Sequence, residues 1–135
     1  MCKLGDIIVV KEFIDSSGTL VPKHSFVVIN DDENYIEGYS YDFVSNMMCS
    51  FHDAKHKRHK LGIESNLNID RNQIIGRNLN DKEGYIKADE LFYFKKDKIE
   101  YEVIAHMKDE LLGTLVKLIL ELNNKNKVHK VLTNL

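Results

Sequence analysis

Short apolar runs bounded by polar turn residues occupy most of the chain before position 105. Residues 7–10 and 26–29 are each four consecutive apolar residues, without the spacing that a helix requires. Runs of β-branched and aromatic residues of this length are typical of strands that are buried on both faces. The turn-forming cluster 15–22, with Gly18 and Pro22, therefore predicts a loop between two core strands.

Weaker apolar and aromatic segments follow the second strand, and they predict further short strands. They occupy residues 35–36, 39–48, 61–69, 74–76, 84–94 and 99–104. Polar residues 30–34 predict a turn, and Gly38 separates the first two segments. The pattern as a whole predicts five to seven short strands.

The last element has a helical period. Leu111, Leu115, Leu118 and Leu122 recur at steps of four, three and four, and a second apolar row lies beside them. That row consists of Leu112, Val116 and Ile119, while Glu110, Thr114, Lys117 and Glu121 fall on the opposite side. The spacing predicts an amphipathic helix of about four turns. The pattern after residue 122 assigns no element.

The order of these elements predicts one domain over residues 1–135 that is mainly β with a C-terminal helix. Short strands joined by turns favour a small curled sheet or β-barrel, capped by the amphipathic α-helix. The formal net charge of −2 excludes a global field that attracts nucleic acid or membranes, so an anionic partner requires a local basic patch. Cys2 and Cys49 lack metal-type spacing, and no apolar run has membrane length; both features favour a reduced, cytoplasmic protein without a membrane partner.

Two positions along the strands carry candidate chemistry. Lys23 and His24 precede the apolar part of the second strand, where an imidazole suits general acid or base catalysis. A surface histidine without a role is the alternative. Ser45 and Asn46 are expected to end a strand and to present a hydroxyl and an amide to a phosphate, although both residues are also common turn formers.

The segment 52–60 is the most polar part of the chain. It contains three histidines, His52, His56 and His59, and four cations, Lys55, Lys57, Arg58 and Lys60. On a helix the histidines share one face, which suits zinc, but the surrounding positive charge opposes a metal ion. A solvated loop and a contact surface for nucleic-acid phosphates are the other interpretations, and nearby Phe51 and Tyr41 suit base stacking.

Taken together, the chain resembles the MazF/PemK family of bacterial toxins. Three segments carry the resemblance: Gly5-Asp6 with the apolar run after it, the strand that leads into Asn30, and residues 85–91 followed by Ile99 and the helix after Met107. The resemblance covers most of the chain to Leu122, apart from residues 47–84. It implies an SH3-like barrel, a homodimer, a single-stranded RNA substrate, no cofactor and a cognate antitoxin protein that occupies the RNA groove.

The resemblance also implies site residues. The family's catalytic arginine falls on His24, the proline after it on Ser25, and the catalytic hydroxyl on Ser45. Histidine lacks the rigid fork of arginine but can exchange protons with an RNA 2′-hydroxyl. The resulting hypothesis is an endoribonuclease in which His24 is the acid/base, Ser45 binds phosphate, Lys23 stabilises charge and a 2′,3′-cyclic phosphate is the product. The alternative is a catalytically inactive module of the same fold that binds RNA or a protein partner.

Overall fold

The computed structural model of the protein describes residues 3–30, 34–36, 39–76 and 84–135. Cys2, most of the predicted turn at 30–34 and Gly38 lie outside the described residues. The strands are β1 (Asp6–Ile14), β2 (Leu20–Asn30), β3 (Asn34–Ile36), β4 (Tyr39–Tyr41), β5 (Phe43–Ser50), β6 (Asn66–Ile69), β7 (Ile74–Gly76), β8 (Gly84–Lys87), β9 (Glu90–Phe94), β10 (Tyr101–Met107) and β11 (His129–Val131). The helices are α1 (Ala54–Leu61) and α2 (Asp109–Asn124).

Nine of these strands form one curled sheet, and β3 and β4 form a separate two-stranded pair. The strand order of the main sheet is β11-β9-β5-β2-β1-β10-β7, with β8 joined to β5 and β6 joined to β8. All of its pairs are antiparallel except β11 with β9. The prediction of a mainly β protein with a C-terminal helix is confirmed.

Both faces of the central strands are buried, as their unbroken apolar runs predict. Ile7 and Val27 belong to the cluster that includes the buried residues of α2, whereas Ile8 and Phe26 belong to an aromatic cluster on the other face. The buried residues of α2 are Leu111, Leu112, Leu115, Ile119 and Leu122. They confirm the predicted amphipathic helix, with its acidic first turn in the position that the helix dipole favours.

Four expectations about local structure were wrong. The loop 15–22 is shorter, because the Asp15 carboxylate accepts hydrogen bonds from the backbone N–H groups of Ser17 and Thr19 and lets β2 begin at Leu20. The basic segment is a helix, α1, rather than a loop. The tail contains β11, which pairs with β9. The described residues contain eleven strands rather than five to seven.

Neither α1 nor α2 is long and apolar enough to cross a membrane, and no other helix among the described residues is either.

Candidate nucleic-acid interface

Helix α1 forms because its ends are capped. The Asp53 side chain accepts a hydrogen bond from the backbone N–H of His56 at 2.7 Å, which satisfies one of the free donors of the first turn. Arg58, His59 and Lys60 lie in the last turn, where positive charge complements the helix dipole. These local interactions compensate for the fact that α1 contributes no fully buried residue.

An aromatic pair beneath α1 attaches the helix to the sheet. Phe51, just after β5, stacks on Tyr85 of β8 with ring centres 5.2 Å apart. The His56 ring lies 6.3 Å from Phe51 and 6.4 Å from Tyr85. The ammonium groups of Lys57 and Lys60 lie 5.7 Å and 6.0 Å from the Phe51 and Tyr85 ring centres, respectively. These contacts place the lysines by cation–π attraction at the edge of β5 and β8.

We call Lys55, Lys57, Arg58 and Lys60, together with Phe51, the basic surface. Within the described parts of the chain, neither Lys55 nor Arg58 nor Lys60 forms an ion pair. Asp53, the acidic residue next to them, is engaged as the helix cap. The result is a local concentration of positive charge on a chain whose net charge is −2.

His24 lies half-buried in β2, at the edge of the aromatic cluster. Its ring contacts Phe13 and Phe26, each at 6.3 Å between ring centres. Its Nε2 atom lies 3.7 Å from the Sγ of Cys49 on the neighbouring strand β5. Burial lowers the pKa of His24, and a hydrogen bond to the Met48 backbone opposes this effect only in part.

Cys49 connects His24 to the region beneath α1. It pairs with Tyr85 across β5 and β8, and the two side chains are hydrogen-bonded. The backbones approach so closely here that a Cβ on Gly84 would lie 2.4 Å from the Cys49 carbonyl oxygen. Burial raises the pKa of the Cys49 thiol and raises that of Tyr85 to about 12, so both side chains are protonated at neutral pH.

Ser45 does not lie at a strand end, as its sequence context suggested, but within β5. It is fully buried and pairs with Val28 on one side and Phe92 on the other. Val28 is four residues from His24, a separation of about 13 Å along an extended strand. The structure therefore does not bring the Ser45 hydroxyl and the His24 imidazole together, and Ser45 has no accessible surface for a phosphate.

Asn46 is also internal to β5 and fully buried. Its side-chain amide donates hydrogen bonds to the backbone carbonyls of Lys87 and Glu90, both at 3.1 Å, so it supports the turn between β8 and β9. Lys23 is exposed, and since successive residues of a strand point to opposite faces, it lies on the face opposite His24. Neither residue shares a surface with the His24 imidazole.

The described residues contain no group of three or more potential metal ligands. Residues that sequence analysis did not assign to the site are Cys49 and Tyr85. They lie 36 positions apart, and only the register of β5 against β8 brings them together. The isolated segment 84–86 predicted a strand but gave no information about its partner.

Comparison with protein-family models and with curated proteins gives no match for this chain.

Proposed function

We propose that this protein binds single-stranded RNA on the basic surface. The observation that supports the proposal is a capped, four-cation helix held on an aromatic pair. Lysine and arginine side chains bind phosphates without base selection, and an aromatic ring supplies a stacking platform for a base. Phe51 is partly exposed and suits this platform, whereas Tyr85 is buried and supports it from below.

The experiment compares two triple variants that remove equal charge. The first changes Lys55, Arg58 and Lys60 to Ala, and the control changes the exposed Lys98, Lys117 and Lys130 to Ala. Affinity for a short fluorescent single-stranded RNA is measured by anisotropy at several salt concentrations. Because each lost phosphate contact on a single strand flattens the log–log salt dependence by about 0.7, the first variant should lose about 2 from the slope. Equal slopes for the two variants would overturn the proposal.

RNA cleavage is the second candidate function, and the position of His24 favours it. Its lowered pKa keeps the imidazole neutral at pH 7, which is the form that accepts a proton. In the proposed step His24 takes the 2′-hydroxyl proton, and the 2′-oxygen attacks the adjacent phosphorus. The bond to the 5′-oxygen breaks, a 2′,3′-cyclic phosphate forms, and the leaving oxygen acquires a proton. With Ser45 buried, the phosphate ligands in this version come from the basic surface.

Cleavage is tested with His24→Ala and the control His129→Ala, which changes an exposed histidine of β11. His24→Ala should abolish formation of cyclic-phosphate ends without changing RNA affinity by more than about twofold. If the His24 variant cleaves as fast as the wild type, the role of His24 is wrong. If the wild type binds RNA without cleaving it at any pH, the binding module alone is correct.

The finer features implied by the MazF/PemK resemblance belong to the same proposal. They are an SH3-like topology for the curled sheet, a homodimer, a cognate antitoxin protein and a cytoplasmic location. Growth arrest on induced expression, relieved by co-expression of a small acidic protein encoded by the neighbouring gene, is the expected result. Unimpaired growth would count against a toxin but not against RNA binding.

A further inference from the structure

A contact between His52 and His56 makes the start of α1 sensitive to protonation. Nδ1 of His56 accepts a hydrogen bond from the backbone N–H of His52 at 3.1 Å. The two imidazole ring centres are only 4.4 Å apart. This arrangement requires a neutral His56 with its proton on Nε2.

Protonation of His56 is incompatible with that hydrogen bond. A charged imidazole carries N–H groups on both nitrogens, so Nδ1 can no longer accept from His52. Two donors, the His52 backbone N–H and the new His56 Nδ1–H, then face the same space. An oxyanion such as a phosphate oxygen resolves the conflict, because it accepts from both donors.

We infer that protonation of His56 creates a phosphate-oxygen site between His56 and the His52 backbone, and that RNA binding on the basic surface therefore strengthens as the pH falls. The inference rests on the proposed RNA binding and adds its regulation. The ionised partner most suited to this site is a nucleic-acid phosphodiester, which stays charged throughout the range in which histidine titrates.

The groups around His56 set the direction of the effect. Partial burial, His52, Lys60 and His59 lower the pKa of His56, whereas Asp53 acts in the opposite direction. From the sheet, the hydroxyl of Tyr85 faces α1, with Cys49 and the Lys87–Glu90 ion pair behind it. The free protein therefore holds His56 neutral at pH 7, and a bound phosphate favours the protonated form.

The experiment uses the full chain and an oligouridylate, whose bases do not titrate in this range. The variant His52→Gln/His56→Asn removes both titratable rings, and the asparagine oxygen takes the acceptor position of Nδ1. His129→Gln is the matched control. Affinity is measured at about pH 7.5 and about pH 5.5, with circular dichroism at each pH to verify folding.

Uptake of one proton on binding gives a rise in affinity of up to about tenfold per pH unit within the titration range. The wild type and His129→Gln should gain about tenfold between the two conditions, and the double variant should keep its affinity at pH 7.5 but lose most of this gain. Binding by the wild type with equal affinity at both pH values, or an undiminished gain in the double variant, would overturn the inference alone. Absence of binding by the wild type at both pH values would overturn the proposed RNA binding as well.

Discussion

The Cys49 thiol of β5 lies 3.7 Å from Nε2 of His24 on β2, and on its other side it is hydrogen-bonded to Tyr85. This contact joins a half-buried imidazole to the residues that support α1. It places His24 and the basic surface on the same side of β5, although the sequence separates them by about thirty positions.

The buried position of His24 has a consequence for pH titration. Since burial lowers its pKa from the ordinary value, the unfolded chain binds more protons than the folded one between the two pKa values. Stability should therefore fall as the pH drops from 7 through the folded pKa, and His24→Gln should reduce that loss. NMR titration of the histidine ring signals measures the pKa directly, with His129→Gln as the assignment control. A titration midpoint for His24 above about 6.5 would contradict the effect of burial.

The Ser45 hydroxyl allows a test of its assignment. Its oxygen is buried and forms no hydrogen bond within the described residues. Because an unpartnered buried hydroxyl destabilises the folded state, Ser45→Ala should leave the free energy of unfolding unchanged or raise it by about 1 kcal/mol. RNA binding and any cleavage should not change. The exposed Ser50→Ala at the end of the same strand is the control, measured by urea unfolding. Loss of cleavage in a fully folded Ser45→Ala protein would restore the hydroxyl to the active site.

Asn46 is expected to act on stability rather than on RNA. Asn46→Ala removes two hydrogen bonds and leaves the buried carbonyls of Lys87 and Glu90 without these donors, at a cost of about 2 kcal/mol. Chemical denaturation measures this loss, with the exposed Asn72→Ala as the reference. At a temperature where the variant is folded, its RNA affinity should equal that of the wild type. A selective loss of affinity without a loss of stability would show that the amide binds substrate.

The fold was predictable where a local pattern determines burial. Ile7, Ile8, Phe26 and Val27 are all completely buried, as unbroken apolar runs require. The helical spacing of leucines likewise predicted α2 with an error of a few residues at each end. In both cases the information lies in neighbouring residues, so no knowledge of the tertiary structure is needed.

The site was less predictable because it depends on strand register. Ser45 and Asn46 have the composition of a strand end, but the pairing of β5 with β2 and β9 places them in the interior. The contact of Cys49 with Tyr85 depends on the pairing of β5 with β8, which no local signal specifies. β11 is similar, because a three-residue parallel strand depends almost entirely on its partner β9. Helix α1 is the exception, since the Asp53 cap was visible in the sequence but was outweighed by the polarity of the segment.

The C-terminal tail supplies the last prediction, because Asn134 imitates a neighbouring strand. Its side-chain oxygen accepts from the Ile14 backbone N–H at 2.7 Å, and its amide donates to the Ile14 carbonyl at 2.8 Å. Asn134 is buried, so Asn134→Ala should lower the free energy of unfolding by about 2 kcal/mol. The exposed Asn124→Ala is the control, and urea unfolding is the measurement. Since these bonds hold residues 133–135 against the end of β1, proteolysis of the tail should accelerate in the variant. An unchanged unfolding midpoint together with unchanged proteolysis would mean that the tail is held by the apolar contacts of Val131 and Leu132 instead.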